Sequence, residues 1–139
     1  MEYTSTSSIA IPNVTPEQIW EALTNPEIVK QYFFGTTVES DWQVGSPITY
    51  SGEWEGKSYE DKGTVLEVEP NCKLVTSYWS VAFGPDTPEN RKTVTYEITP
   101  TDGGTILTII QDNDNESSKK HSEENWNMVL DGLKKLLTK

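Results

Sequence analysis

The chain has 139 residues, enough for one domain that buries roughly two-thirds of the surface its unfolded form exposes. Twenty-two acidic residues against eleven basic leave a net charge of −11, a field that repels phosphate backbones and anionic lipid, so neither nucleic acid nor a membrane is an expected partner. A lone cysteine, Cys72, excludes an internal disulfide, and a lone histidine, His121, excludes a histidine dyad or multi-histidine metal site.

Met1–Ser8 has neither a basic nor an apolar segment, so no signal peptide is expected and the cytosol is the expected compartment. Ser7–Ile11 alternates as a first strand with Ile9 and Ile11 on one face. Thr15 followed by Pro16 and Gln18 is a helix start: an N-cap hydroxyl, a proline at the first turn and a capping-box glutamine. Ile19, Trp20 and Leu23 are spaced to share a face of that helix, and Asn25-Pro26 opens a second short one through Tyr32.

Strand texture follows. Thr36–Glu39 is short, and Val44-Gly45-Ser46-Pro47 turns into a strand carrying Ile48, Tyr50 and Trp54 on one face. Glu55-Gly56-Lys57 predicts a hairpin turn, Tyr59–Glu69 a long strand, and Lys73–Ser80 a strand with Leu74, Thr76 and Tyr78 opposing Val75, Ser77 and Trp79. After the loop Gly84–Pro88, Arg91–Thr99 puts Val94, Tyr96 and Ile98 together, and Asp102-Gly103-Gly104 turns into Thr105–Gln111. Beyond the polar stretch Asp112–Ser118, Trp126, Val129, Leu130, Leu133, Leu136 and Leu137 recur at helical spacing, while Asn127, Asp131, Lys134 and Lys135 face away. A strand, two short helices, about six antiparallel strands and one long helix make an α+β fold in a single domain, 1–139.

Such a sheet is roughly 30 Å wide and a helix only ~10–12 Å, so the sheet must curl around the last helix or be covered by the short ones. Either arrangement leaves an apolar space between sheet and helix. Trp20, Phe34, Tyr50, Trp54, Tyr78, Tyr96 and Trp126, with Leu130 and Leu133, are expected to line it, and tyrosine and tryptophan bring polar tips that suit a binding pocket. Gly132, beside this stripe, either lets the helix pack closely or leaves room for a ligand. Glu53, Glu60, Asp61 and Glu67 lie on strands, but no pair is placed for acid–base work. No Walker loop, GxGxxG or calcium-loop spacing is present, so no cofactor and no metal is expected.

Several segments in order resemble the activator of Hsp90 ATPase homologue family. Ile19–Glu27 resembles its first-helix signature, and Asp41-Trp42-Gln43-Val44-Gly45-Ser46-Pro47-Ile48 its glycine turn. Gly63–Pro70 is similar to its strand-and-proline segment, and Trp126-x3-Leu130-x2-Leu133-Lys134-x2-Leu137 to its C-terminal helix. Tyr32-Phe33 stands where a Trp-Phe pair is usual, and Ser46 replaces the turn's second glycine. The resemblance implies the START-like (SRPBCC) helix-grip fold, a curved sheet around the last helix, in which many members bind hydrophobic molecules and some, the polyketide cyclases and aromatases, catalyse. It also implies a link to co-chaperones of the stress response that stimulate Hsp90; those carry an additional N-terminal domain, and the chain resembles their helix-grip part. Three readings stay open: a monomeric binder of a small hydrophobic or aromatic molecule, a co-chaperone-like module with a chaperone or other protein as partner, and a cyclase-type enzyme.

Overall fold

A computed structural model describes residues 3–33, 35–54, 56–80 and 84–138, leaving aside the side chains of Trp54 and Pro88. The elements follow the order β1 (Ser5–Pro12), α1 (Pro16–Thr24), α2 (Pro26–Tyr32), β2 (Thr37–Glu39), β3 (Pro47–Trp54), β4 (Lys57–Glu69), β5 (Lys73–Trp79), β6 (Lys92–Thr101), β7 (Gly104–Gln111) and α3 (Glu116–Leu137). Local chemistry sets the helix starts. Thr15 Oγ1 accepts the Gln18 amide at 3.2 Å while the Gln18 side chain accepts the Thr15 amide at 2.8 Å, a complete capping box. Asn25 caps α2 by accepting the Glu27 amide at 2.9 Å, and Asn115 caps α3 by accepting the Ser118 amide at 2.8 Å. The last helix therefore begins inside the polar stretch Asp112–Ser118, because an asparagine there supplies the cap.

Among the described residues seven strands form one antiparallel sheet in the order β1-β7-β6-β5-β4-β3-β2. Strands β1 and β2 are consecutive in the chain yet occupy opposite edges. Helices α1 and α2 carry the chain across one face between them, and α3 returns over the same face against β1. The registers Leu74↔Tyr96, Tyr96↔Ile109 and Ile98↔Leu107 align the inward positions of neighbouring strands. On β4 the alternation breaks at an irregularity between Val65 and Glu67, so Leu66 and Glu67 are both turned out to solvent and Val68 returns to the core face. Gly63 is required where β4 meets β5: a Cβ there would lie 2.2 Å from the Ser77 carbonyl oxygen.

The core lies between the helices and this face, with Ile19, Ala22 and Leu23 of α1, Val29 and Tyr32 of α2, and Val129, Leu130 and Leu133 of α3 buried against the strands. The opposite face is covered near Trp79. Trp79 is buried there with its Nε1 donating to the Gly84 carbonyl at 3.1 Å, and Arg91 pairs with Asp86 and donates to Thr64 and Ser77.

Gly132 sits opposite α2. A Cβ added there would meet the Tyr32 backbone oxygen at 3.6 Å and the Tyr32 Cβ at 3.8 Å, ordinary contact distances. Of the two roles open to Gly132, close helix packing is the one its surroundings fit. Gly132→Ala should therefore raise stability by about 0.5–1 kcal/mol through helix propensity. Leu133→Ala should cost roughly 2–5 kcal/mol, as for a buried leucine, and Lys135→Ala less than about 0.5 kcal/mol. Urea melts of the three variants check the packing, and equal losses at positions 133 and 135 would contradict the observed orientation of α3.

Candidate functional site

An apolar space lies between the sheet and the helices. Its floor is Leu74, Tyr96, Leu107 and Ile109 from the sheet, and its roof is Val129, Leu130 and Leu133 of α3 with Leu23, Val29 and Tyr32 of the short helices. Tyr50 and Val38 close one side, and Trp126, Phe33 and Trp42 complete the wall. The free volume is about 30 Å³, room for one or two waters rather than an organic molecule.

The Phe33 ring is part of the wall of this space. Helix α2 ends at Tyr32, and Phe33, at φ −112° and ψ 57°, departs from helical geometry, while its amide still bonds the Val29 carbonyl at 2.9 Å. Its ring stacks on Tyr50 (centroids 6.4 Å apart, planes 23°) and stands edge-on to Trp126 (5.9 Å, 73°). Tyr96 in turn meets Trp126 edge-on at 6.0 Å, so Tyr50, Trp126 and Tyr96 form a box around the Phe33 side of the cavity. Trp42 lines the cavity from the β2–β3 loop, with φ at 56°. That left-handed backbone costs a bulky residue about 1–3 kcal/mol, a strain found preferentially at functional sites.

The polar tips of these rings are mostly tied down. Tyr32 donates to the Ala22 carbonyl at 2.7 Å, Tyr78 to an Asp61 carboxylate oxygen at 2.5 Å, and Trp126 Nε1 to the Gln111 side-chain oxygen at 2.8 Å. Burial raises the pKa of Tyr32, Tyr50, Tyr78 and Tyr96 above the ordinary tyrosine value, and for Tyr78 the hydrogen bond to Asp61 adds to it. All four stay neutral at physiological pH.

Of the residues expected at the site, Tyr50, Tyr96, Trp126, Leu130 and Leu133 come together around the cavity. Tyr78 lies one ring further out, edge-on to Tyr50 at 5.7 Å. Trp20 does not reach the cavity lining: it is half-buried against the rim of the core, because it follows Ile19 by one residue, about 100° around α1. Phe34 and the Trp54 side chain lie outside the described residues. Sequence reasoning passed over Phe33 and Trp42 as site residues. Each follows or precedes a turn rather than lying in a periodic segment, so periodicity gave no signal for either. Among the strand carboxylates Asp61 pairs in register with Tyr50 on the inner face, whereas Glu53, Glu60 and Glu67 are exposed. An acid–base pair is not assembled among the described residues, nor is a cluster of three metal-ligating side chains. No helix among them is long and apolar enough to cross a membrane.

The family model for activator of Hsp90 ATPase homolog 1-like protein matches residues 13–138. Among solved structures, the chain is similar to ChR145 from Cytophaga hutchinsonii, with 47% identity, a TM-score of 0.83, and coverage of 97% of this chain and 93% of that one. It is similar to MLL2253 from Mesorhizobium loti, with 26% identity, a TM-score of 0.79, and coverage of 97% and 96%. The fold also matches the Aha1 dimer from Colwellia psychrerythraea, with 20% identity, a TM-score of 0.74, and coverage of 94% and 92%. No curated protein matches the chain. A fold of this type supports a ligand-binding or co-chaperone-like module.

The neutral tyrosines set an alkaline limit to stability. Their folded pKa values are raised, so the folded form binds more protons than the unfolded one once pH exceeds about 10, where free tyrosine ionises. Stability is then full below pH ~10 and should fall above it by about 1.4 kcal/mol per pH unit for each tyrosine. Urea midpoints followed from pH 9 to 11 test this, and a flat profile would contradict the enclosure of the four hydroxyls.

Proposed function

The chain belongs to the activator of Hsp90 ATPase homolog 1-like family, and from that premise we propose that it binds a small hydrophobic or aromatic molecule between its sheet and its last helix. The observation that carries the reading is the Phe33 ring inside the aromatic box. A side chain from a helix terminus stacks on one ring and meets another edge-on, as a bound aromatic molecule would. Pockets for drug-sized molecules measure ~300–1,000 Å³, so a cavity of about 30 Å³ accepts one only when Phe33 swings out. Phe33 sits just past the last turn of α2 and two residues before Gly35 at φ +74°, and such a movement would pivot there.

Tyr50, Tyr96, Trp126, Leu130 and Leu133 are the residues proposed to contact the ligand, with Phe33 as the group it displaces. The enzyme alternative lacks support from a second inward carboxylate. For the protein-interaction alternative, the exposed large hydrophobics among the described residues are Val44, Leu66 and Met128, in a loop, a strand and a helix. So few are ordinary for a protein surface.

Ligands of drug size gain about 0.3 kcal/mol per heavy atom, so a fitting twenty-atom compound reaches roughly 6 kcal/mol, a Kd of tens of micromolar, less what displacing Phe33 costs. Phe33→Ala removes that cost. It should lower unfolding stability by roughly 1–3 kcal/mol. It should also tighten binding of a neutral naphthyl ketone dye about tenfold or more, seen as a saturable blue shift of the dye's emission. A dye that fails to bind saturably to both the parent protein and Phe33→Ala would end the binding reading.

A further inference from the structure

Strand β1 ends the sheet, and among the described residues it pairs with β7 alone. The Asn13 amide bonds the Gly103 carbonyl at 2.7 Å, and a Cβ on Gly104 would collide with the Ile11 carbonyl oxygen. Bonded and non-bonded pairs alternate along an antiparallel ladder, so the odd-numbered residues of β1 turn their amides and carbonyls toward β7. The N–H and C=O groups of Thr6, Ser8 and Ala10 point the other way, out from the edge. Their side chains are exposed as well.

Sheets keep their edges single with charged side chains, prolines, bulges or very short strands. The edge at β2 follows that rule: it has three residues and ends in Glu39. Strand β1 has eight residues in unbroken register with β7, no charged side chain, and its single proline, Pro12, at the last position. The contrast matters in a chain with 22 acidic residues and a net charge of −11. Two copies repel one another over most of their surface, so they can meet closely only where neither brings a carboxylate. A basic partner, by comparison, would be drawn to the carboxylates and not to this strand. On the exposed face beside β1, strand β7 presents Ile106, Thr108 and Ile110, which are uncharged too.

We infer that β1 is a self-association edge, on which a second copy of this chain adds its own β1 antiparallel about a two-fold axis at Ser8. Thr6 then faces Ala10 of the second copy and Ser8 faces Ser8, so the outward amides and carbonyls of these residues are matched across the seam. Helix α3 leaves room for this. It begins over the Ser5 end of β1, where Ser5 Oγ and Ser122 Oγ lie 3.1 Å apart, and runs on to α2, where Gly132 faces Tyr32. The two-fold axis sends the second copy's α3 to the opposite end of the seam. Pairing uses up both β1 edges, and β2 is too short to continue the sheet, so assembly closes at a dimer in place of the expected monomer.

A single strand edge buries less than the ~1,200 Å² of a stable interface, so the dimer should be weak, with a Kd of roughly tens to hundreds of micromolar. Sedimentation equilibrium of the full chain from about 10 μM to about 1 mM, in about 20 and about 300 mM NaCl, tests this. The dimer should grow with concentration and be tighter at the higher salt, because screening weakens the repulsion between two copies of charge −11. Ser8→Glu sets two carboxylates face to face, and Ser8→Pro removes an outward amide while leaving the β7 ladder its bonds. Each should weaken association about tenfold or more, whereas Thr99→Glu, the same added charge on an exposed residue of β6, should change it by less than about threefold. Amide exchange in the parent protein needs no variant: Thr6, Ser8 and Ala10 should exchange more slowly at the highest concentration, while Ser7 and Ile9, already bonded to β7, stay as they were. A monomer at the highest concentration in both salts overturns the inference. So does a dimer that Ser8→Glu and Ser8→Pro leave as tight as the parent's, or exchange at Thr6, Ser8 and Ala10 that ignores concentration.

Discussion

The structure depends on one mismatch of widths. Seven antiparallel strands make a sheet several times wider than a single helix, and every inward position on that sheet needs cover. Placing β1 and β2 at opposite edges solves part of the problem, because the chain must then cross the face as α1 and α2. Helix α3 covers the rest. Where three helices meet over a curved sheet, aliphatic side chains are too short to fill the middle, and the chain fills it with Phe33, Tyr50, Tyr96 and Trp126. The residual volume is small because these rings interlock edge to face, and it sits where they meet.

Filling a core with tyrosines carries a polar consequence. Each hydroxyl must find a partner or lose the hydrogen bond it had in water. The chain meets this with an α1 carbonyl for Tyr32 and a strand carboxylate for Tyr78, and it fixes the Trp126 indole through Gln111. Gln111 is itself braced: Asn113, which receives a bond from its side chain, donates to the Gln111 carbonyl and to the carbonyl of Tyr3. Of the rings of the box, Trp126 is thus positioned by a polar bond outside the cavity. A braced Trp126 beside a ring carried just past a helix end is the physical basis for treating Phe33 as the movable part.

Much of this was legible in the sequence where periodicity or cap chemistry encodes it. Thr15-Pro16-x-Gln18 and Asn25-Pro26 mark the two short helices, and the three- and four-residue spacing from Trp126 to Leu137 orients α3 correctly. Strand alternation puts Tyr50 and Tyr96 on the inner face. What alternation cannot foresee is a slip: the irregularity after Val65 leaves both Leu66 and Glu67 outward and returns Val68 to the core face. The spacing predicts a shared face for Ile19 and Trp20, yet adjacent residues on a helix diverge by about 100°: Ile19 is fully buried and Trp20 packs half-buried at the rim of the core. Phe33 and Trp42 escaped because their positions are set by backbone departures, a non-helical Phe33 and a left-handed Trp42, that no pattern of side chains announces.

The account's central claim is that Phe33 holds the place of a ligand's ring, and the contact between Phe33 and Trp126, ring centroids 5.9 Å apart, reports on it directly. Proton–proton cross-relaxation between these two rings can be measured by NMR in the free protein and at saturation with 2-acetylnaphthalene. The account predicts that the Phe33–Trp126 signal present in the free protein disappears on saturation and is replaced by one between the naphthyl ring and Trp126, while signals between Leu130 and the sheet persist. A Phe33–Trp126 signal of undiminished strength in the saturated protein would contradict it.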